Sequence, residues 1–447
     1  MAAEDNKSQK PISHECAFLE TYFYSIAQFQ FDRAHEFAEK ERASHDASKP
    51  LWSGLITSLL TLANTEKSYF AMAFIQKGIF NKTLKSVYLA LTNDLSNLIT
   101  SALSPRGTEA LALELCKQIN QFAQARLKMI DFYEYFIKCK WGHVFNTKEI
   151  IEEIHVVINM FTKAFHHPVL DPVKTSFNFE TEILSTLLYT ELRLGEWEFL
   201  ESLLTLRECQ SKLHAWRLLS PSSSVKEQLL ASFTYKSFFT RSSKKQQIDT
   251  PALYQWLQLF HLHILSKFSF YFYTTLNSQA ASPDLKGSLS KNSIDYVAKL
   301  MSFQRKTDAH SVSLVLDASS KDKVFKGHGY HMDNTLIDPP TGINSYPSVV
   351  SIPENISKEH WPNIISMLTD RINDLNTTDR IAFLHDSRLE CSYFVIKVDV
   401  RMTLVVVYKI KKKEKDSYIQ NFLLEMRTNL SHDKLFQMVR PHQGKLF

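Results

Sequence analysis

The residues best suited to chemistry lie in one short segment, "GHGYHMD", in the last third of the chain. It places His328, His331 and Asp333 beside two glycines. Imidazole and carboxylate groups bind zinc, and either can act as a general base. The spacing, however, matches no established zinc motif, and no acyl-transfer or metalloprotease signature accompanies it. We therefore predict no catalytic and no metal-binding residue, and keep a metal-dependent hydrolase that uses residues 328–333 as an alternative.

Three further patterns contain reactive side chains but have simpler explanations. The sequence "HLH" places His261 and His263 on a predicted helix, where residues two apart point to different faces, so joint chelation is unfavourable. Residues 288–291 match the SxxK pattern of some acyl-transfer enzymes, but they lie in a predicted linker without companion motifs. His166 and His167 precede a proline at a helix end, where a favourable dipole interaction accounts for them.

Composition argues against several classes of protein. Only 10 of 447 residues are glycine, and neither GxGxxG nor GxxxxGK[ST] occurs, so we expect no nucleotide cofactor. The net charge of +5 is mild and mixed, which does not indicate a nucleic-acid binder. The cysteines are widely spaced, odd in number and without a CxxC pair, which predicts reduced, mostly buried thiols in a cytosolic protein. They are Cys16, Cys116, Cys139, Cys209 and Cys391.

No segment predicts a signal peptide or a membrane span. The polar, acidic start does not fit a signal peptide. The most apolar windows begin at Leu51 and Leu253. The first is too short to span a bilayer, and the second is interrupted by polar residues and by Lys267. We expect both to be buried helices of a soluble chain.

The chain is long enough for two domains. We predict a disordered N-terminus at 1–15, an all-α bundle of seven to nine helices at 16–281, a linker at 282–292 and an α+β domain at 293–447. The linker is rich in Pro, Gly and Ser. Apolar residues at helical spacing support the bundle, and the first helical segment is expected to share one apolar face. Its members are Phe18, Tyr22, Ile26, Phe29 and Phe37. Thr250 followed by Pro251 marks a helix start.

The α+β domain is predicted to contain an antiparallel sheet. Its strands are "SVSLVLDAS", "RIAFLHD", "CSYFVIKVDV" and "MTLVVVYKI", with helices before, between and after them. The run "LVVV" indicates a strand that is covered on both faces. In the preceding strand we expect one apolar face, extending from Phe394 to Val400, and a partly wet face with Lys397 and Asp399.

A long segment, 318–360, is predicted to be an ordered insertion that clamps the surface of this domain. Its expected anchors are Phe325, Tyr330, Leu336, Ile337, Tyr346 and Ile352.

A lysine run follows the last predicted strand and precedes a helix. It comprises Lys409, Lys411, Lys412, Lys413 and Lys415. These residues form a candidate basic surface that could contact anionic lipid. The simpler explanation, which we favour, is a solvated loop whose charges block aggregation at a strand edge. A second charged loop, 241–245, is open to phosphorylation near Ser242.

Long stretches resemble a family of animal KICSTOR subunits. They are "ECAFLETYFYSIAQFQFDRAHEFAEKERASHDASKPLWSGLI", "FKGHGYHMDNTLIDPPTGINSYPSVVSIPE" and "CSYFVIKVDVRMTLVVVYKIKKKEK". The resemblance covers the full length but carries no residue signature, so no residue-level role transfers. It implies that the C-terminal domain is similar to roadblock and longin (profilin-like) folds.

The resemblance also implies a non-enzymatic scaffold with kaptin, an integrin-α-repeat-like subunit and the large SZT protein as partners. That assembly holds the GATOR complex at the lysosome and acts indirectly on Rag GTPases. It restrains target-of-rapamycin (TORC1) signalling when amino acids or glucose are scarce. We accordingly expect a cytoplasmic protein that is peripheral at the lysosomal membrane through its complex. The alternative is a roadblock or longin module that binds a small GTPase outside that complex.

Overall fold

The computed structural model describes residues 14–44, 49–75, 83–138, 147–219, 250–279, 294–319, 340–354, 357–377, 380–433 and 435. Within these ranges, a large helical part precedes a mixed part that contains one antiparallel sheet. The predicted helical region followed by an α+β region is therefore confirmed. The predicted linker, 282–292, lies outside the described residues, as does all but the end of the predicted N-terminal tail, 1–15.

The helical part is built from amphipathic helices, several of which are joined by short connections within the described ranges. Its described helices are α1 (His14–Ala27), α2 (Phe31–Ser44), α3 (Pro50–Phe70), α4 (Leu84–Ser101), α5 (Thr108–Lys138), α6 (Thr147–Phe161), α7 (Asp171–Gly195), α8 (Phe199–Leu218), α9 (Ala252–Tyr271) and α10 (Tyr273–Gln279). Pro251 is the N-cap residue of α9, so the predicted start signal at this position is confirmed. Most of α9 is buried, as expected for the apolar window that it contains.

The first apolar segment forms two helices and does not share one continuous face. Phe29, between α1 and α2, has a left-handed backbone conformation with φ of 63°. Its ring packs against Phe70 and Trp216, at centroid distances of 5.0 and 5.7 Å. The break therefore directs an aromatic ring into the core. The expectation that Phe29 and Phe37 lie on the same helical face as Phe18 is wrong for this reason.

The mixed part contains a five-stranded sheet among its described residues. Its elements are α11 (Tyr296–Thr307), β1 (Ser311–Leu316), β2 (Ser348–Ile352), α12 (Trp361–Asp370), α13 (Ile372–Leu375), β3 (Ala382–Asp386), β4 (Cys391–Lys397), β5 (Met402–Tyr408) and α14 (Ser417–Leu430). The strand order is β2-β1-β5-β4-β3, and every neighbouring pair is antiparallel. The four predicted strands correspond to β1, β3, β4 and β5. The hairpin formed by β4 and β5 lies inside the sheet, because β1 and β3 flank it.

Strand β2 was not predicted, because it lies inside the segment expected to be an insertion, 318–360. It is only five residues long, and Pro347 and Pro353 flank it. Proline flanks are tolerated here because β2 is an edge strand. Among the expected anchors, Ile352 lies in β2 and Tyr346 just before it. The others, Phe325, Tyr330, Leu336 and Ile337, lie outside the described residues.

Both faces of the central strands are covered. In β5, Leu404 and Val406 face one core, while Val405 and Val407 face the other. This confirms the interpretation of "LVVV" as a strand buried on both sides. Strand β4 ends at Lys397, however, and the residues that follow form a turn in which Val400 is 51% exposed. The apolar face predicted to extend to Val400 is therefore shorter than expected.

The helical part packs directly on the sheet. One continuous hydrophobic core includes helix residues and the face of the sheet that α11 and α14 cover. In α10, the Thr274 hydroxyl donates a hydrogen bond of 3.0 Å to the carbonyl of Val349 in β2. The Trp197 and Phe272 rings, between neighbouring helices on the same side, lie 4.6 Å apart. The opposite face of the sheet has a smaller core, which α12 covers with Trp361.

Candidate functional site

The histidine pairs singled out in the sequence serve the core and a helix end. His261 is buried on α9, and its Nε2 lies 3.1 Å from the carbonyl oxygen of Leu206. Burial is the main cause that lowers the pKa of His261. The His263 ring is also buried, 6.2 Å from the ring of His432. The Nδ1 atom of His167 accepts a hydrogen bond from a backbone amide at the start of a short 3₁₀ turn.

Several other sequence candidates lie outside the described residues. They are His328, His331, Asp333, residues 288–291 and residues 241–245. Within the described ranges, no three His, Cys, Asp or Glu side chains are grouped so as to hold a metal ion. None of the described helices combines the length and apolar character needed to cross a bilayer.

The described cysteines agree with the prediction that most of these thiols are buried. Cys116, Cys209 and Cys391 are buried and Cys16 is partly buried, and none of these four described cysteines forms a disulfide. Burial raises the pKa of Cys116 and Cys209 to about 12. Because the thiolate is the nucleophile, these two thiols are poorly suited to nucleophilic chemistry.

A buried arginine joins three helices of the helical part. Arg126 in α5 lies between Glu66 in α3 and Glu180 in α7, and its Nη2 is 2.9 Å from Glu66 Oε2. Three buried tyrosine hydroxyls donate to the same carboxylates: Tyr69, Tyr88 and Tyr133. Burial alone would lower the pKa of Arg126, but the two carboxylates outweigh it and raise that pKa. Since all these groups bind one another inside the core, the cluster is suited to fixing helices.

A second buried cluster connects the helical part to the sheet. We call it the charge junction and define it as Glu191, Lys267, Tyr271, Asp399 and His432. The ammonium group of Lys267 in α9 contacts the carboxylate of Glu191 in α7. It also lies 2.7 Å from Asp399 Oδ2, in the turn between β4 and β5.

Two more side chains complete the charge junction. The Tyr271 hydroxyl donates to Asp399 Oδ2 over 2.8 Å, and His432 Nε2 lies 3.0 Å from Glu191 Oε2. Burial by itself lowers the pKa of Lys267, but Asp399 and Glu191 outweigh it and raise that pKa. Burial acts to raise the pKa of Glu191, yet Lys267 and His432 outweigh it and lower that pKa to about 2. The buried charges therefore depend on partners from both parts of the chain.

Arg401 adds a further contact between the helical part and the sheet, beside the charge junction. Its Nε donates to the carbonyl of Asp317 over 2.9 Å, and its Nη1 lies 3.5 Å from the carbonyl of Glu196 at the end of α7. Burial is the main cause that lowers the pKa of Arg401. The turn after β4 thus contacts helical residues through both Asp399 and Arg401.

A polar chain lies on the opposite face of the sheet. His360, the N-cap residue of α12, places Nδ1 2.9 Å from the Tyr393 hydroxyl. Asn363 donates to that hydroxyl over 3.3 Å and to Asp386 Oδ2 over 2.7 Å. Burial chiefly lowers the pKa of His360 and raises that of Tyr393. These hydrogen bonds join α12 to β3 and β4. The His360 side chain that takes part in them is buried.

The predicted basic surface lies where the sequence places it, between β5 and α14. We call residues 409–416 the lysine loop. Four of its five lysines are exposed, and Lys412 is half-buried with its Nζ 4.6 Å from the centre of the Tyr408 ring. Ser392 holds this loop in place, because its hydroxyl donates to the carbonyl of Ile410 and accepts from the amide of Lys412, both over 2.9 Å.

The far end of the lysine loop is fixed as well. The Asp416 carboxylate caps α14 by accepting hydrogen bonds from the amides of Tyr418 and Ile419. The Gln420 side chain donates to the carbonyl of Glu414 over 3.0 Å. The loop is therefore held by its own hydrogen bonds at both ends.

Sequence reasoning missed the charge junction and the role of Ser392. Lys267 did carry a signal, since a lone cation in an apolar helix requires a buried partner. Nothing local indicated Asp399 as that partner, because 132 positions separate the two residues (399 minus 267). Ser392 carried no signal at all, since a serine within a strand is unremarkable.

Comparisons with known proteins cover nearly the whole chain. The model of the family described as "KICSTOR complex C12orf66 like" matches residues 7–444. The chain is 33% identical over 445 residues to "KICSTOR subunit 2" of Danio rerio, and the alignment covers 97% of each chain. It is 31% identical over 443 residues to "KICSTOR subunit 2" of Xenopus laevis, covering 96% of this chain and 97% of the relative. The helical part, the charge junction and the lysine loop all fall within the matched range.

Proposed function

The chain belongs to the KICSTOR C12orf66-like family, and from this premise we propose that it is a non-enzymatic scaffold subunit of the KICSTOR complex. The observation that carries the proposal is the match along almost the entire length, including both the helices and the sheet. A match of that extent favours a role that uses the whole molecule. The buried Arg126 cluster and the charge junction support it, since their ionisable groups bind one another and fix elements in place.

In the finer form of the proposal, the partners are kaptin, an integrin-α-repeat-like subunit and the SZT protein. The complex recruits GATOR to the lysosome and thereby acts on Rag GTPases indirectly. It restrains TORC1 signalling when amino acids or glucose are scarce, and the chain is cytoplasmic and peripheral at that membrane. These statements rest on the family resemblance. The fixed contact between helices and sheet supports them, because a scaffold must present its surfaces at constant relative positions.

The test is purification of the endogenously tagged protein from fed and from amino-acid-starved cells, followed by mass spectrometry. We expect kaptin, the SZT protein, the integrin-α-repeat-like subunit and GATOR subunits in near-stoichiometric amounts. Recovery of the chain without these partners under both conditions would contradict the proposal. A tagged cytoplasmic protein of similar abundance serves as the control for adventitious capture.

A second candidate function is direct binding of a small GTPase by a roadblock- or longin-like module. The observation that favours it is the antiparallel sheet with helices on both faces, although likeness of fold alone does not establish a function. Purified full-length chain would bind a Rag GTPase in a nucleotide-dependent manner if this candidate is correct. Equal binding to both nucleotide states, or none, would favour the passive scaffold.

A further inference from the structure

The lysine loop carries more positive charge than its own acidic residues can balance. It contains five lysines and two acidic residues, Glu414 and Asp416. The Asp416 carboxylate is already engaged as the cap of α14. Among the described residues, no carboxylate lies within ion-pair distance of any of the five ammonium groups. The charges are therefore available to an external anionic partner.

Exposed apolar groups accompany these charges. Ile410, between Lys409 and Lys411, is 53% exposed, and Tyr418 in the first turn of α14 is 52% exposed. The Tyr418 ring is held in position because it stacks on Phe303 of α11, at 6.0 Å and an interplanar angle of 7°. Tyrosine and aliphatic side chains beside lysines are typical of surfaces that lie at the boundary between headgroups and acyl chains.

The lysine loop has an ordered conformation in the chain alone. Ser392 binds the loop at Ile410 and Lys412, and Asp416 and Gln420 fix its far end. A basic segment that is already ordered loses less conformational entropy on binding than a disordered tail does. This observation weakens the interpretation of the run as a solvated loop with no further role.

The type of cation distinguishes between anionic partners. All basic residues of the loop are lysines, which act as compact point charges. Bidentate recognition of individual carboxylates or phosphates in a protein partner favours the planar guanidinium of arginine. A bilayer that contains anionic phospholipid requires only diffuse charge attraction and a few apolar contacts. From these observations we propose that residues 409–418 dock the chain onto the surface of an anionic phospholipid bilayer.

This inference does not rest on the proposed scaffold role, because it concerns the chain alone. The experiment is co-sedimentation of purified full-length protein with vesicles of phosphatidylcholine, or of phosphatidylcholine mixed with phosphatidylserine. We expect binding to the mixed vesicles only, and its loss at about 1 M salt, where the Debye length is about 3 Å. Each lysine near such a surface contributes about fivefold in affinity. The triple variant Lys411→Glu, Lys413→Glu, Lys415→Glu should therefore bind at least roughly 100-fold more weakly.

The matched control changes the same charge elsewhere. Lys40, Lys128 and Lys148 are exposed on α2, α5 and α6, so Lys40→Glu, Lys128→Glu, Lys148→Glu alters net charge equally and should bind like wild type. Equal loss in both triple variants would show a net-charge effect and overturn the assignment. Ile410→Ser should weaken binding while preserving its salt dependence. Thermal melting of each variant confirms that it is folded.

Two other results would also overturn the proposal. One is wild-type protein that ignores the phosphatidylserine vesicles. The other is a loop variant that binds these vesicles normally but loses a known subunit on co-purification, which would assign the surface to a protein partner. A loop variant that loses vesicle binding while it still assembles supports the proposal and leaves the scaffold role intact. Failure of the lipid inference is thereby distinguishable from failure of the proposed function.

Discussion

At the scale of single residues, Lys267 is a charged side chain that lies in the core. It lies in a helix that is mostly buried, and its ammonium group is buried between carboxylates from α7 and from the turn after β4. A buried ammonium group is tolerated only when such partners compensate its lost hydration. The compensation of the Lys267 charge therefore depends on contact between the helices and the sheet.

We expect Lys267→Met to destabilise the protein by about 3–5 kcal/mol, because it leaves the carboxylates of Glu191 and Asp399 without their shared cation. Urea denaturation followed by circular dichroism measures the change. Lys67→Met is the matched control, since Lys67 pairs with Asp32 at 2.7 Å but both side chains are exposed. That control should cost less than about 1 kcal/mol. Similar losses in the two variants would show that the junction contributes little.

The charge junction also predicts a dependence of stability on pH. The pKa of Glu191 falls from an ordinary value of 4.5 to about 2 in the folded protein. A depressed folded pKa stabilises the fold above the unfolded value, and that contribution is lost as the pH falls from 4.5 toward 2. Glu191→Gln should therefore be less stable than wild type at neutral pH, and the difference should shrink below pH 4.5. Melting temperatures measured across this range provide the test, and a constant difference would contradict it.

At the scale of elements, the lysine loop follows β5 but is held by a residue of the neighbouring strand, β4. Ser392 lies in β4, yet its hydroxyl binds the backbone after β5 at Ile410 and Lys412. The strands place it there because Ser392 is opposite Tyr408, the last residue of β5. Cross-strand register therefore determines the conformation of the basic surface.

We expect Ser392→Ala to release the lysine loop locally. One hydrogen bond of this kind is worth about 1 kcal/mol, so amide exchange at Lys412 should accelerate roughly fivefold. Exchange in β4 and β5 away from residue 392 should stay within about twofold of wild type. Ser366→Ala is the control, because its hydroxyl donates only to Asp370 on the surface of α12. Unchanged exchange at Lys412 would mean that Ser392 does not hold the loop.

The elements differ in how well their sequences predict them. Strands β4 and β5 are long and rich in Val, Ile, Phe and Tyr, so the preference for pleated, buried surfaces identifies them. Strand β2 could not be predicted, because five residues between prolines resemble a loop. Only the pairing with β1 makes them a strand. The helix break at Phe29 could not be predicted, because a phenylalanine with a left-handed backbone conformation has no local sequence signature. It depends on packing against Phe70 and Trp216.

At the scale of the whole molecule, the order of helices and sheet could be predicted, but their contact could not. The order follows from a change in apolar periodicity along the chain. The contact depends on pairs such as Tyr271 with Asp399, which are 128 positions apart. No local pattern encodes such a pair. The position of the lysine loop was predictable because it is a run, whereas its fixed conformation was not, because Ser392 lies 20 positions from Lys412.

The same separations affect how the chain is made. His432 and Glu191 meet across 241 positions of sequence. At roughly 5–20 residues per second of translation, His432 is synthesised roughly 10–50 s after Glu191. Until the turn after β4 and His432 have been made, Lys267 lacks Asp399 and Glu191 lacks His432. We therefore expect a nascent chain that ends before the sheet to expose apolar helix surface and to be prone to aggregation, which chaperones counter.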